Sequence, residues 1–121
     1  METFCRRFLL RHTDYEHLHV ITDTYREKYK SIVRSGMFTC KDSLNETFPA
    51  ICRTLLRERG DGPSYILATL GFAFHVHTTC QDADWYELDM VINHLTDILT
   101  CTNFDYTANY YCKPSNYCII L

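Results

Sequence analysis

The stretch from Tyr65 to Val76 constrains this chain more than any other. Tyr65, Ile66, Leu67, Ala68, Leu70, Phe72, Ala73, Phe74 and Val76 make it apolar on nearly every side. A helix apolar all round must be enclosed by other helices. At twelve residues it falls short of the roughly 18 that read as a membrane span. Gly60-Asp61-Gly62-Pro63 precedes it. Asp61 or Gly62 suits a helix cap, and Pro63 suits the first helical position. The pattern predicts a helix over Ser64–Thr78 at the centre of a domain.

The flanking segments read as the enclosing helices. Thr3–Leu10 is a short amphipathic helix with Phe4, Phe8 and Leu9 apolar. Thr13 or Asp14 is a candidate cap for the next. Leu18, Ile21, Tyr25, Tyr29, Ile32 and Val33 then share one helical face, and Ser35-Gly36 ends it. Ser43 with Glu46 three residues later forms a capping-box pattern that opens a helix over Leu44–Arg57. Pro49 predicts a kink or a break within it. Asp82 and Asp84 suit the start of an amphipathic helix through their fit to the macrodipole. Its apolar face is Trp85, Leu88, Val91, Ile92, Leu95, Ile98 and Leu99. A last helical turn is expected between Phe104 and Tyr111, before Lys113-Pro114-Ser115. No alternating strand pattern occurs. The expected fold is all-α, a single domain over residues 1–113 with a short tail over 114–121.

Size and composition agree with one packed domain. A chain of 121 residues can bury about two thirds of its unfolded surface. Apolar residues at 46% and seven Gly plus Pro exclude a disordered or collagen-like chain. The net charge is −3 and the basic residues are scattered, so no nucleic-acid footprint is visible. Seven cysteines, an odd number with no C-x-x-C pair, point to free thiols in a reducing compartment.

At the central helix the chain resembles a known family. Gly60-Asp61-Gly62-Pro63-Ser64-Tyr65-Ile66-Leu67-Ala68, with Gly71-Phe72-Ala73 beyond, resembles the first homology motif of the Bcl-2 family. Leu95-Thr96-Asp97-Ile98-Leu99, with Asp105-Tyr106 beyond, resembles that family's second motif. Leu18-His19-Val20-Ile21-Thr22-Asp23 is similar to its third, with Thr22 in the place of a glycine. Order and spacing agree from Met1 to about Tyr111. The small size and divergence look like a viral member.

The resemblance implies a Bcl-2-like helical bundle around the buried central helix. It implies an inhibitor of apoptosis, not an enzyme and without a cofactor. Such a protein sequesters pro-death family members such as Bim by laying their helices in a surface groove. On the matching positions, Tyr25, Tyr29 and Val33 would line one wall. Phe48, Cys52, Leu55 and Leu56 would line the other, and Tyr65, Ala68 and Phe72 the floor and lip. The family's turn carries an arginine that pairs with the ligand's aspartate, and Tyr65 stands there in this chain. A neutral hydrogen bond is weaker than a charge-assisted one, which implies narrow ligand selectivity. Arg57 or Arg59 could reach the same carboxylate. The same fold also serves some viral relatives as a dimeric inhibitor that binds innate-immune signalling adaptors. An unfilled apolar groove favours self-association, so a homodimer is an expectation too. The implied location is the host cytoplasm or the mitochondrial surface.

Other chemistries find less in the sequence. His75 and His77 with Cys80 suggest metal ligands, but residues two apart on a helix point about 200° apart. His17 and His19 fail in the same way. Cys118-Ile119-Ile120-Leu121 matches a prenylation signal at Cys118. It lacks the upstream basic patch that one lipid chain normally needs for anchoring. The alternatives are chance and a chain cut at the start of a hydrophobic tail. Membrane association is expected to be peripheral at most.

Overall fold

The computed structural model describes residues 1–30, 37–57 and 63–102. Its elements are α1 (Glu2–Leu10), a 3₁₀ turn (His12–Tyr15), α2 (Glu16–Asp23), α3 (Arg26–Lys30), α4 (Lys41–Arg57), α5 (Pro63–Cys80) and α6 (Leu88–Thr100). No strand occurs among the described residues, and the fold is all-α. Helix α5 packs against α1, α2, α3, α4 and α6. Residues Tyr65 to Ala73 along it are all buried, as an all-round apolar pattern requires. The predicted residues Phe4, Phe8 and Leu9 of α1 and Val91, Ile92, Leu95, Ile98 and Leu99 of α6 join the same core.

Five local expectations need correction. Among the described residues, the long helix expected from Asp14 onward is split into α2 and α3. Thr24 N–H bonds the Ile21 carbonyl at 3.1 Å and Tyr25 N–H bonds that of Thr22 at 3.1 Å, so the chain tightens there. The Thr24 hydroxyl also bonds the Ile21 carbonyl, at 2.6 Å. Threonine hydroxyls compete for helix carbonyls in this way, and the helix ends. Neither Thr13 nor Asp14 caps α2. The position before it is Tyr15, with no side-chain cap, and Asp14 pairs instead with Arg11 at 2.7 Å.

The start of α4 is shifted by one turn. Cys40, not Ser43, takes the capping position: its Sγ accepts from Ser43 N–H at 3.4 Å, while Ser43 Oγ accepts from Cys40 N–H at 3.1 Å. This is the reciprocal arrangement of a capping box with Ser43 in the reaching-back role. The helix then runs through Pro49 without a break. Proline in a helix costs about 3 kcal/mol. Leu44, Phe48, Ile51, Cys52 and Leu55 all bury their side chains on this helix, at about 1.5–3 kcal/mol for each large one. Packing outweighs the proline.

Asp82 and Asp84 do not open α6, which begins only at Leu88. Residues 81–85 form turns that follow the end of α5, and Glu87 is extended. Ala83 N–H bonds the Cys80 carbonyl at 2.9 Å, and the Tyr86 hydroxyl and His77 Nδ1 share a hydrogen bond of 2.9 Å. Trp85 packs half-buried against the core from this segment rather than from the helix. Ser35-Gly36, Gly60–Gly62, the turn at 104–111 and the 113/114 boundary lie outside the described residues.

Candidate functional site

The side chains expected to form a groove fall into two groups. Tyr29, Phe48, Cys52, Leu55, Ala68 and Phe72 are buried in the core. Phe48 and Phe72 stack with centroids 5.5 Å apart and planes at 18°. Tyr29 tilts against Phe72 at 5.7 Å. These residues fill one another's space, because α3 and α4 press their inner faces onto α5. Burial raises the Tyr29 phenol and pushes the Cys52 thiol well up, so neither ionises near neutral pH.

The second group borders solvent. Tyr25 and Leu56 are half-buried against the core. Tyr65 lies at the margin of burial, with the Lys28 ammonium 4.7 Å above its ring. Arg57 is exposed and donates to Thr54 Oγ1 at 3.4 Å. Val33, Arg59 and Cys118 lie outside the described residues.

Two surface concavities are lined by described residues. One, of about 330 Å³, lies between the C-terminal ends of α4 and α6. Leu56 and Ile98 give it an apolar lining, and Arg53, Arg57 and Asp97 supply its charges. It brings together two residues expected to act on one ligand, Leu56 and Arg57. The sequence reading missed Arg53, although it stands one helical turn before Arg57 on the same face.

The other concavity, of about 460 Å³, lies between α2, α3, α5 and the 3₁₀ turn. His12, His19, Val20, Arg26, Tyr29, Phe74 and His75 contribute to it. Gly71 lets the two helices meet beside it: a Cβ there would come within 2.8 Å of the Thr22 carbonyl oxygen. His19 is the best anchored of these rings. Its Nε2 donates to the Phe8 carbonyl at 2.7 Å, and its face stacks on Phe8 at 4.1 Å. Burial lowers its pKa to about 4, so the imidazole is neutral in the fold. Its residues come from the 3₁₀ turn, α2, α3 and α5, so no single stretch of sequence marks the site, although Gly71, Phe74, His75 and Thr78 share one face of α5.

His75 and His77 do point apart, as helical geometry requires. His75 faces Tyr29 and His77 faces Tyr86. Among the described residues no group of three His, Cys, Asp or Glu could hold a metal ion. None of the described helices is long and apolar enough to cross a membrane. No protein-family model matches the chain, no curated protein is significantly similar to it, and no solved structure significantly resembles it.

Proposed function

We propose that this chain is a Bcl-2-like survival protein of viral type that sequesters pro-death helices such as that of Bim. It would act in the host cytoplasm or at the mitochondrial surface and so block mitochondrial apoptosis. The observation that supports this reading best is the pocket shared by Leu56, Ile98, Arg53 and Arg57. An apolar floor rimmed by two guanidinium groups and the single carboxylate of Asp97 complements an amphipathic helix that carries an aspartate. Arginine meets a carboxylate through charge-assisted, often bidentate, bonds. The motif-like segments also fit the reading by position. Leu18 of α2 is buried, while Asp23 points outward and pairs with Arg26. A third motif packed into its own bundle suits a protein that receives a helix rather than one that offers its own.

A second reading keeps the fold and changes the partner. Mutual packing of Tyr29, Phe48, Cys52, Leu55, Ala68 and Phe72 favours a closed surface, as in a dimeric inhibitor of innate-immune adaptors. Calorimetry against the Bim helix separates the two. Sequestration predicts submicromolar binding that Arg57→Gln weakens about tenfold and Tyr65→Ala weakens less. Absence of heat at about ten-micromolar protein would sink sequestration and move the search to signalling adaptors and self-association.

A further inference from the structure

The geometry points to a second binding site on this protein, in the cavity between α2, α3 and α5, for a small organic anion with a planar aromatic body. The site is independent of the helix-binding pocket proposed above. Its volume of about 460 Å³ falls in the range of small-molecule sites, about 300–1,000 Å³.

Rings make most of its walls. His12 and His19 lie 4.3 Å apart at 31°, and Phe74 stands 4.3 Å from His19 and 5.9 Å from His12. Tyr29 and His75, 5.7 Å apart, contribute from the α3 side. Aromatic faces of this kind receive a planar ring by offset or edge contact. Val20 adds an aliphatic side chain that is 65% exposed at the same cavity. A large apolar side chain so exposed gains most from a ligand that covers it.

The charge pattern selects an anion. Asp23 is the carboxylate at the cavity, and it is already paired with Arg26. Burial lowers the His75 pKa, and the nearby charges of Arg26 and Lys30 lower it further. A cation entering beside His75 would meet the same repulsion. The lining threonines have committed their protons, Thr22 to the His19 carbonyl, Thr24 to that of Ile21 and Thr78 to that of His75. The His75 imidazole has no hydrogen-bond partner among the described residues, so its N–H remains to be offered. The hydrogens left for a ligand are therefore the imidazole N–H of His75 and the part of the Arg26 guanidinium that Asp23 does not hold. A carboxylate or sulfonate on an aromatic ring satisfies both the donors and the ring walls.

The test uses the full chain and amide NMR titration at pH 7.5. The probes are 2-naphthoate, the uncharged 2-naphthalenemethanol, and inorganic phosphate. The site predicts saturable shifts around Val20, Phe74 and His75, with a dissociation constant for 2-naphthoate at or below about 1 mM. The alcohol and phosphate should each bind at least about tenfold more weakly, since each lacks half of the recognition. Val20 is exposed, so its charge can be varied with little effect on the fold. Val20→Lys should tighten 2-naphthoate and Val20→Glu should weaken it, each about threefold. His75→Phe keeps a ring and removes the donor, and should bring acid and alcohol to similar affinity. Equal binding of acid and alcohol to the natural chain, shifts centred elsewhere, or no saturation by about 10 mM would each overturn the proposal.

Discussion

Toward α4, helix α5 presents Phe72, with Phe48 stacked on it and Leu44, Ile51, Cys52 and Leu55 buried around the contact. Toward α2 and the 3₁₀ turn it presents Gly71, Phe74 and His75, and the space between is held by imidazole rings with a cavity beside them. The difference follows from what each partner can supply. Helix α4 has 17 residues and a full apolar face. Helix α2 has only eight, and Thr24 and Tyr25 separate it from α3. At Gly71, α2 comes so near α5 that a Cβ would lie 2.8 Å from the Thr22 carbonyl oxygen, and the cavity opens beside that contact. One flank is thus built for stability, and the other leaves room for a ligand.

Substitutions two residues apart on α5 give the sharpest test. Phe72→Ala should cost about 3–5 kcal/mol in denaturant unfolding, because the residue is wholly buried against another ring. Phe74→Ala, on the half-buried flank, should cost about 1–2 kcal/mol. Equal losses would erase the distinction between the flanks.

Acid should act mainly on the histidine-rich side. His19 titrates near 4 in the fold, against about 6.5 unfolded, because burial disfavours its charged form. The lowered value means that its contribution is complete above about pH 6.5 and is lost as pH falls through that value toward 4. The loss attributable to His19 is at most about 3 kcal/mol. Burial also lowers His75, His77 and His94, and they act in the same direction. Unfolding midpoints between pH 7.5 and 4.5 should fall less steeply in His19→Phe, which keeps a ring against Phe8. Identical slopes would show that His19 is not the titrating group.

Gly71→Ala should show a smaller effect. Its Cβ would meet a backbone oxygen, which costs about 1–3 kcal/mol of overpacking, and alanine returns about 1 kcal/mol of helix propensity. The expected net loss is about 1 kcal/mol, accompanied by amide shifts in α2. A gain in stability would mean that α2 slides freely on α5. The exposed ion pair between Arg6 and Asp89, at 3.0 Å, lies on neither flank. Arg6→Gln should leave the unfolding midpoint within error, since exposed pairs contribute little.

The central helix was legible because its signal is redundant. Leu67, Leu70 and Val76 are apolar wherever the helix turns, so no choice of face was needed. The α6 core face was equally clear from Val91, Ile92, Leu95, Ile98 and Leu99. The boundary at Thr24 was not, since Leu18, Ile21, Tyr25 and Tyr29 keep helical spacing across it. Only hydrogen bonds to the carbonyls of Ile21 and Thr22 end the helix there. The cap at Cys40 was hidden because a thiol is a weak acceptor and Ser43 is the commoner capping residue. Of the expected site, Leu56 and Arg57 share a pocket, while Phe48, Cys52, Leu55, Ala68 and Phe72 are core. Helical spacing is the same for a groove wall and for a packed face, so the sequence could not divide them.

By itself, then, the sequence determined an all-α chain folded about Tyr65–Val76, for the run of apolar side chains leaves no other place for that helix. Only the tertiary structure decided which apolar side chains face each other and which face water. That choice depends on how closely α2, α3 and α4 approach α5. Contacts such as Thr22 on Gly71 and Phe48 on Phe72 set those distances, between residues far apart in the chain.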